Sequence, residues 1–357
     1  MGKGIVKLGD SKWATKDGNL LAYKETNNRF TNTEFTFARG TDATYVGEDG
    51  LIANETGDDT PRIDFLDDTD GHLLLEPAST NLVTYSEDFN QWSTQDVLIE
   101  DGYPAPDGSN NAYKVTENGA EAHLVSYAGI NISNHKSIWA KTVSGTGDVY
   151  LLNRHPYNLC SLTTEWQRFD VTHNGADFFY ACDFRGVGTT LTEVIVWGAQ
   201  LEALSYATSY IPTAGTTVTR DAETCNSAGT AQDFNSEEGV LYAEINLGQA
   251  DSVSRYIGVS DGSTNNRAIL GVEADTTSIY YYFTDGGSGQ VSSNSALSDI
   301  SIFNKVAIKW KLNDFALWLN GVEVATDASG TVPAAGTFDT LLFTSGASSQ
   351  YFYGKCK

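Results

Sequence analysis

Along most of this chain apolar residues alternate with polar ones at period two, and the spacing of an amphipathic helix is almost absent. The apolar positions are rich in Val, Ile, Tyr, Phe and Trp, and 34 glycines with Asn, Asp and Ser clusters interrupt them. Short β-favouring runs between turn residues predict an all-β protein built of antiparallel sandwiches. From Asn111 to Leu201 seven runs read as strands: NAYKV, AHLVSY, KSIWAKT, VYLLN, QRFDVT, FFYACDF and EVIVWGAQL. Turn signals at Gly145–Gly147 and His173–Gly175 separate several of them.

A second series runs from Glu238 to the end, and its alternation is sharpest from Lys305 to Thr326. There VAIKWKL, a turn at Asn313–Asp314, and FALWLNGVEVATD with its Asn320–Gly321 hairpin dipeptide predict three successive strands. Residues 214–236 are small, polar and without periodicity, the pattern of a linker. Residues 1–80 hold short extended segments with little core of their own, including a strand, loop and strand over Phe35–Ile52. The organisation expected is an N-terminal arm or docking subdomain (1–80), a first sandwich (81–213), a linker (214–236) and a second sandwich (237–357). In fold class this is all-β, with two tandem antiparallel jelly-roll sandwiches preceded by an extended N-terminal arm.

Two motifs bracket the first sandwich: LLLEPASTNLVTYSEDFNQW at Leu73–Trp92 and WGAQLEALSYATSYIPTAGTTVTR at Trp197–Arg220. They resemble the segments that flank a carbohydrate-binding-module-like β-sandwich in tail, fibre and head-decoration proteins of bacteriophages. The strand, turn, strand, Asn-Gly, strand pattern of Lys305–Thr326 resembles the core of laminin-G and concanavalin-A-like jelly rolls. The resemblance implies a virion structural protein of head or tail, made in the host cytoplasm and displayed on the virion surface as a homotrimer. Its partners would be other capsid or tail proteins, with the arm as the docking element, and host-surface or environmental glycans. Two other readings stay open: a decoration or cement protein without a ligand, and a component of a polysaccharide depolymerase or lyase. Jelly rolls of this kind carry one more strand after a YxGK-like segment, and here YFYGK stands next to the last residue, Lys357. That strand is absent, is supplied by the N-terminal segment, or comes from another subunit.

Charge narrows the partners. The chain has 46 acidic and 22 basic residues, a net of −24. Such a surface repels phosphate backbones and anionic lipids, which argues against nucleic acid and against membrane insertion. It suits neutral glycans and divalent cations. No run of 18 apolar residues occurs, and the first residues lack the apolar core of a secretory signal. The four cysteines, Cys160, Cys182, Cys225 and Cys356, fit no zinc spacing and read as reduced and buried, with Cys160 and Cys182 candidates to face each other across neighbouring strands.

Candidate chemistry is sparse. Glucanases of the concanavalin-A type place three carboxylates on one strand face as ExDxxE, and no such triplet occurs here. Lyases of that fold need Arg/Glu and Gln-x-His strands, which are also missing, and no GxSxG is present. The chain therefore reads as a non-enzyme. Sugar rings stack on aromatic faces while polar side chains take their hydroxyls. The candidates for carbohydrate binding are Tyr103, Trp139, Arg154 and Tyr157, although Trp139 and the other tryptophans have competing core roles. Asp67, Asp68 and Asp70 crowd one turn and could hold Ca²⁺, which takes six to eight oxygens on flexible loops, or could be solvated turn residues.

Overall fold

The computed structural model describes residues 6–7, 15–16, 19–24, 29–56, 59–66, 68–119, 124–128, 132–153, 158–175, 178–347 and 349–357. Among the described residues there is no α-helix, and each strand pair is antiparallel. The chain forms two compact units. One gathers residues 1–40, 56–77 and 222–357; the other gathers 41–55 and 78–221.

The unit holding 78–221 is a sandwich of two five-stranded sheets. One sheet runs in the order Ser93–Gln95, Leu124–Tyr127, Phe179–Asp183, Gly147–Leu152 and Leu159–Leu162. The other runs Val97–Tyr103, Ala112–Glu117, Glu193–Glu202, Ile132–Lys141 and Gln167–Gly175. Val115, Ile138, Val149, Leu151, Phe179, Val194 and Val196 fill the space between them. Alternation explains this: Ile138 and Ala140 face the core while Trp139 between them points to the opposite face. The sheet order corrects one expectation, because Gly147–Leu152 lies between the strands of Cys160 and Cys182 and those thiols are not on neighbouring strands.

The bracketing motifs meet. Ser79–Asn81 pairs with Val218–Arg220, and Tyr85 bridges Ala214. Asn81, fully buried, fastens this junction: its amide donates to the carbonyls of Ala199 (3.1 Å) and Ile211 (2.8 Å), and its oxygen accepts from Val83 and Leu201 N–H. A hydrophobic side chain there would leave four buried backbone groups unpaired.

The second unit is also a two-sheet sandwich. Its seven-stranded sheet is ordered Val322–Asp327, Phe315–Leu319, Asn304–Lys311, Glu238–Asn246, Gly354–Cys356, His72–Leu75 and Arg62–Asp64. The facing sheet is Ser288–Ala296, Ser278–Asp285, Arg267–Val272, Arg255–Ser260 and Thr340–Leu342. The predicted hairpin forms as read, with Asn320 at φ 50° and Gly321 at φ 86°, the left-handed pair that a two-residue turn requires. The strand that seemed missing after YFYGK comes from the N-terminal segment: Gly354–Cys356 pairs with Leu73–Leu75.

Residues 1–80 are therefore shared out. Leu73 and Leu75 enter the core of the sandwich formed mainly by residues 222–357, each of the order of 1.5–3 kcal/mol if buried from water. The hairpin Ala43–Val46 with Ile52–Glu55 belongs to the other unit. The stretch 214–236, expected to be a linker, contributes Val218–Arg220 to one unit and Thr224–Asn226, paired with Thr36–Ala38, to the other. Its polarity misleads because these strands are only three residues long and bury single side chains, Arg220 and Cys225.

Arg39, Arg62, Glu76 and Glu223 join the three chain segments of this second unit inside the protein. Glu223 accepts from Arg39 Nη1 and Arg62 Nε, each at 2.8 Å, from Arg62 Nη2, and from the backbone N–H of Glu76 at 2.9 Å. Arg62 Nη2 also reaches Glu76 at 2.9 Å. Burial alone would lower the Arg62 guanidinium, and the two carboxylates more than reverse it. Two cations and two anions balance, which is the condition for burying them at all.

Candidate functional site

The site with the clearest shape lies in the unit holding 78–221, where the bracketing motifs converge. A groove of about 520 Å³ is lined by Tyr85, Glu87, Asp88, Asp101, Gly102, Asn110, Asn111, Tyr113, Thr213 and Ala214. That is within the size range of small-ligand sites. Tyr85–Asp88 come from the opening motif and Thr213–Ala214 from the closing one. Asp101 and Gly102 sit at the register shift between Glu100 and Tyr103, where regular pairing with the neighbouring strand is interrupted.

The floor is a hydrogen-bonded network. Glu87 accepts from the hydroxyl of Tyr210 (2.8 Å) and the amide of Asn111 (2.7 Å). Asn111 accepts from the indole N–H of Trp197 at 2.8 Å. Ser86 lies 2.7 Å from the Tyr210 hydroxyl, and the N–H of Thr213 donates to Ser86 Oγ at 2.8 Å. Burial pushes the Glu87 carboxyl up, opposed by the Tyr210 hydrogen bond and reinforced by the charge of Asp107. Tyr113 donates to Asp88 at 3.1 Å, and burial together with that carboxylate pushes its hydroxyl up to about 12. Asp88 also accepts from Asn90 N–H, capping the short 3-10 turn Phe89–Gln91. Both Glu87 oxygens and Asp88 are thus engaged in holding the walls. The arrangement offers the half-buried Tyr85, the edge of the buried Tyr113, and a fringe of amides and carboxylates, and it lacks a basic side chain among its described lining residues.

The sequence-predicted residues fall around this groove unevenly. Tyr103 follows the lining residue Gly102, with Lys114 Nζ 5.7 Å from its ring centre. Trp139 lies opposite Trp197 in register and packs with Tyr103 and Trp166 against a satellite cluster of Ile52, Ala105, Trp197 and Tyr210. Its indole N–H is buried without a partner among the described residues. Arg154 and Tyr157 lie outside the described residues, as does Asp67. Asp68 is held by Lys357 Nζ at 2.7 Å and lies 3.4 Å from His72 Nδ1. Burial would raise its carboxyl, and the Lys357 contact keeps it below the usual range. Asp70 is exposed and gives its backbone N–H to Asp68. Among the described residues no three His, Cys, Asp or Glu side chains converge as a metal site would require.

Reading the residues alone passed over Tyr85, Glu87, Asp88, Asn111 and Tyr113. The signal was present in VTYSEDFNQW and SNNAYKV, where tyrosines alternate with carboxylates and amides.

No protein-family model matches the chain, and no curated protein matches it. Among solved structures, the mouse laminin alpha1 chain, domains LG4-5, is similar at 9% identity with a TM-score of 0.26, over 80% of this chain and 88% of that one. A likeness that loose passes nothing about ligands or assembly to this chain.

Proposed function

We propose that this chain is a bacteriophage virion protein of head or tail that displays its two sandwiches and binds host-surface or environmental glycan in the groove of the sandwich holding residues 78–221. The virion assignment draws on the motifs at Leu73–Trp92 and Trp197–Arg220, which resemble the flanks of such domains in phage structural proteins. The observation that carries glycan binding is the half-buried Tyr85 set beside Glu87, Asp88, Asn110 and Asn111 in one groove. Aromatic rings accept the apolar face of a pyranose, while amide and carboxylate edges accept or donate to its hydroxyls. Adhesion rather than bond cleavage is favoured because the Glu87 and Asp88 carboxylates are bonded to Tyr210, Asn111, Asn90 and Tyr113.

The test is binding of the full chain to an array of neutral and acidic glycans, with Tyr85→Ala alongside. A glycan retained by the wild type and weakened about tenfold or more by Tyr85→Ala supports the assignment, since losing one stacking contact removes roughly 1.5 kcal/mol. No retention of any glycan refutes adhesion and leaves a decoration protein.

A further inference from the structure

The outward face of the seven-stranded sheet is built unlike the rest of this acidic surface. Register places its side chains in rows across Glu238–Asn246, Asn304–Lys311, Phe315–Leu319 and Val322–Asp327. Tyr242, Ala307 and Trp318 form one row, and Val240, Lys309 and Ala316 the next. Val240 is 62% exposed and Tyr242 52%. Rows of charge close both ends: Glu244 beside Lys305 at 3.7 Å, and Glu238 beside Lys311 at 3.1 Å. A centre that is apolar but for Lys309, itself paired with Asp314, inside a charged rim is the anatomy of a protein–protein contact. The ring of Trp318 is covered by Lys309, with Nζ 5.7 Å from its centre, so it does not offer the bare aromatic face that a sugar would use.

Charge selects the occupant. The whole chain has about twice as many acidic as basic residues, so most faces of one copy repel another. This face alternates the two signs, and the alternation is self-complementary. A twofold axis parallel to the strands, running between Glu238–Asn246 and Asn304–Lys311, exchanges those two strands. It sets Glu244 of each copy over Lys305 of the other and Glu238 over Lys311, drops each Tyr242 onto the small Ala307 opposite, and lays each Val240 on the stem of Lys309, whose ammonium stays with Asp314. We propose that this face is a self-association surface that pairs two copies of the chain about that twofold axis. The two strands that lie over each other about that axis, spaced about 4.8 Å apart and each about 28 Å long, give roughly 270 Å² per copy. That is below the standard interface, so the pair is weak, and it forms in earnest where copies are held close together.

The experiment is sedimentation equilibrium of the full chain up to about 500 µM, together with two charge variants. The wild type is expected to show a concentration-dependent dimer. Lys305→Glu with Lys311→Glu, and separately Glu238→Lys with Glu244→Lys, each place like charges opposite one another and are expected to weaken dimerisation by tenfold or more. Mixing the two variants restores it as a heterodimer, a result that misfolding cannot imitate. A wild type monomeric at the highest concentration, a trimer, or a dimer indifferent to both variants overturns the proposal.

Discussion

Replacing Glu223 by Gln tests the idea that a buried charge cluster, and not hydrophobic burial alone, holds together the unit formed from three stretches of chain. Glu223 has no solvent exposure and takes four donors: one from Arg39, two from Arg62 and the backbone N–H of Glu76. The substitution keeps the shape and removes one negative charge. Arg39 and Arg62, whose side chains are also unexposed, then lose the carboxylate charge they share, and the amide must turn an N–H toward a guanidinium. Breaking a buried pair from one side costs about 3–5 kcal/mol, most of it the penalty of the uncompensated cation. In a unit of this size that corresponds to a fall in Tm of roughly 6–20 °C. Urea and thermal unfolding followed by tryptophan fluorescence and circular dichroism measure it. Adding Arg39→Met to Glu223→Gln should recover part of the loss, since the charge count is again even and neighbouring sites are non-additive. A loss below about 1 kcal/mol, or strict additivity in the double variant, would mean that the guanidiniums reach water when their partner is gone.

Other perturbations should behave as follows. Asp170 is held below the ordinary carboxylate range chiefly by its hydrogen bond to His135, at 2.9 Å. A depressed folded-state value means that this stability is present above the unfolded value and disappears as pH falls through the folded one. Asp170→Asn should therefore flatten the decline in Tm between about pH 5 and pH 3. In Gly271→Ala the new Cβ would stand 2.0 Å from the carbonyl oxygen of Arg255 and 2.6 Å from the Tyr256 ring. A backbone obstacle cannot rotate away, so a loss of about 2–3 kcal/mol is expected by chemical denaturation, against near-neutral behaviour for Gly289→Ala, whose Cβ meets nothing. Tyr113→Phe should reduce glycan retention less than Tyr85→Ala, because it keeps the ring and loses only the hydroxyl's hydrogen bonds with Asp88 and Asn90.

Alternation read from the residues located the strands well where neighbours in sequence are neighbours in space. NAYKV became Ala112–Glu117, KSIWAKT became part of Ile132–Lys141, and the Asn320–Gly321 hairpin stands where its φ > 0 pair demanded. It could not locate pairings made across the chain. His72–Leu75 joins Gly354–Cys356 because Leu73, Leu75 and Cys356 share a core, and no periodicity in either segment announces the other. Arg39 and Arg62 look in sequence like any surface arginine, since only the position of Glu223 makes their burial affordable. The groove was hidden for the same reason. Tyr85 and Thr213 line one cavity only after the opening and closing motifs pair, so the aromatic residues that stood out locally, Tyr103 and Trp139, lie beside it or beneath another cluster.

The interrupted connectivity has a physical consequence for how such a chain can fold. Glu76 and Glu223 are 147 residues apart in sequence and yet hydrogen-bonded, so their unit must close a very long loop. For a flexible chain the length-dependent part of that closure, (3/2)RT ln n, is about 4.4 kcal/mol. The inserted residues are not flexible once their own sandwich has formed. Ser79–Asn81 and Val218–Arg220 are then paired strands, Asn81 clamps Ala199 and Ile211, and the ends of the insertion leave it side by side. The loop left to close is only the few residues from those strands to Glu76 and Glu223, and most of the entropic term has already been met by contacts within the insertion. A sandwich whose two sheets both come from residues 93–202 can form before the more divided unit and present its two ends to it, which gives the dense hydrogen bonding of the paired motifs at its base a role in folding. Their task is to bring two distant pieces of chain to one place before the charge cluster of Arg39, Arg62, Glu76 and Glu223 can assemble.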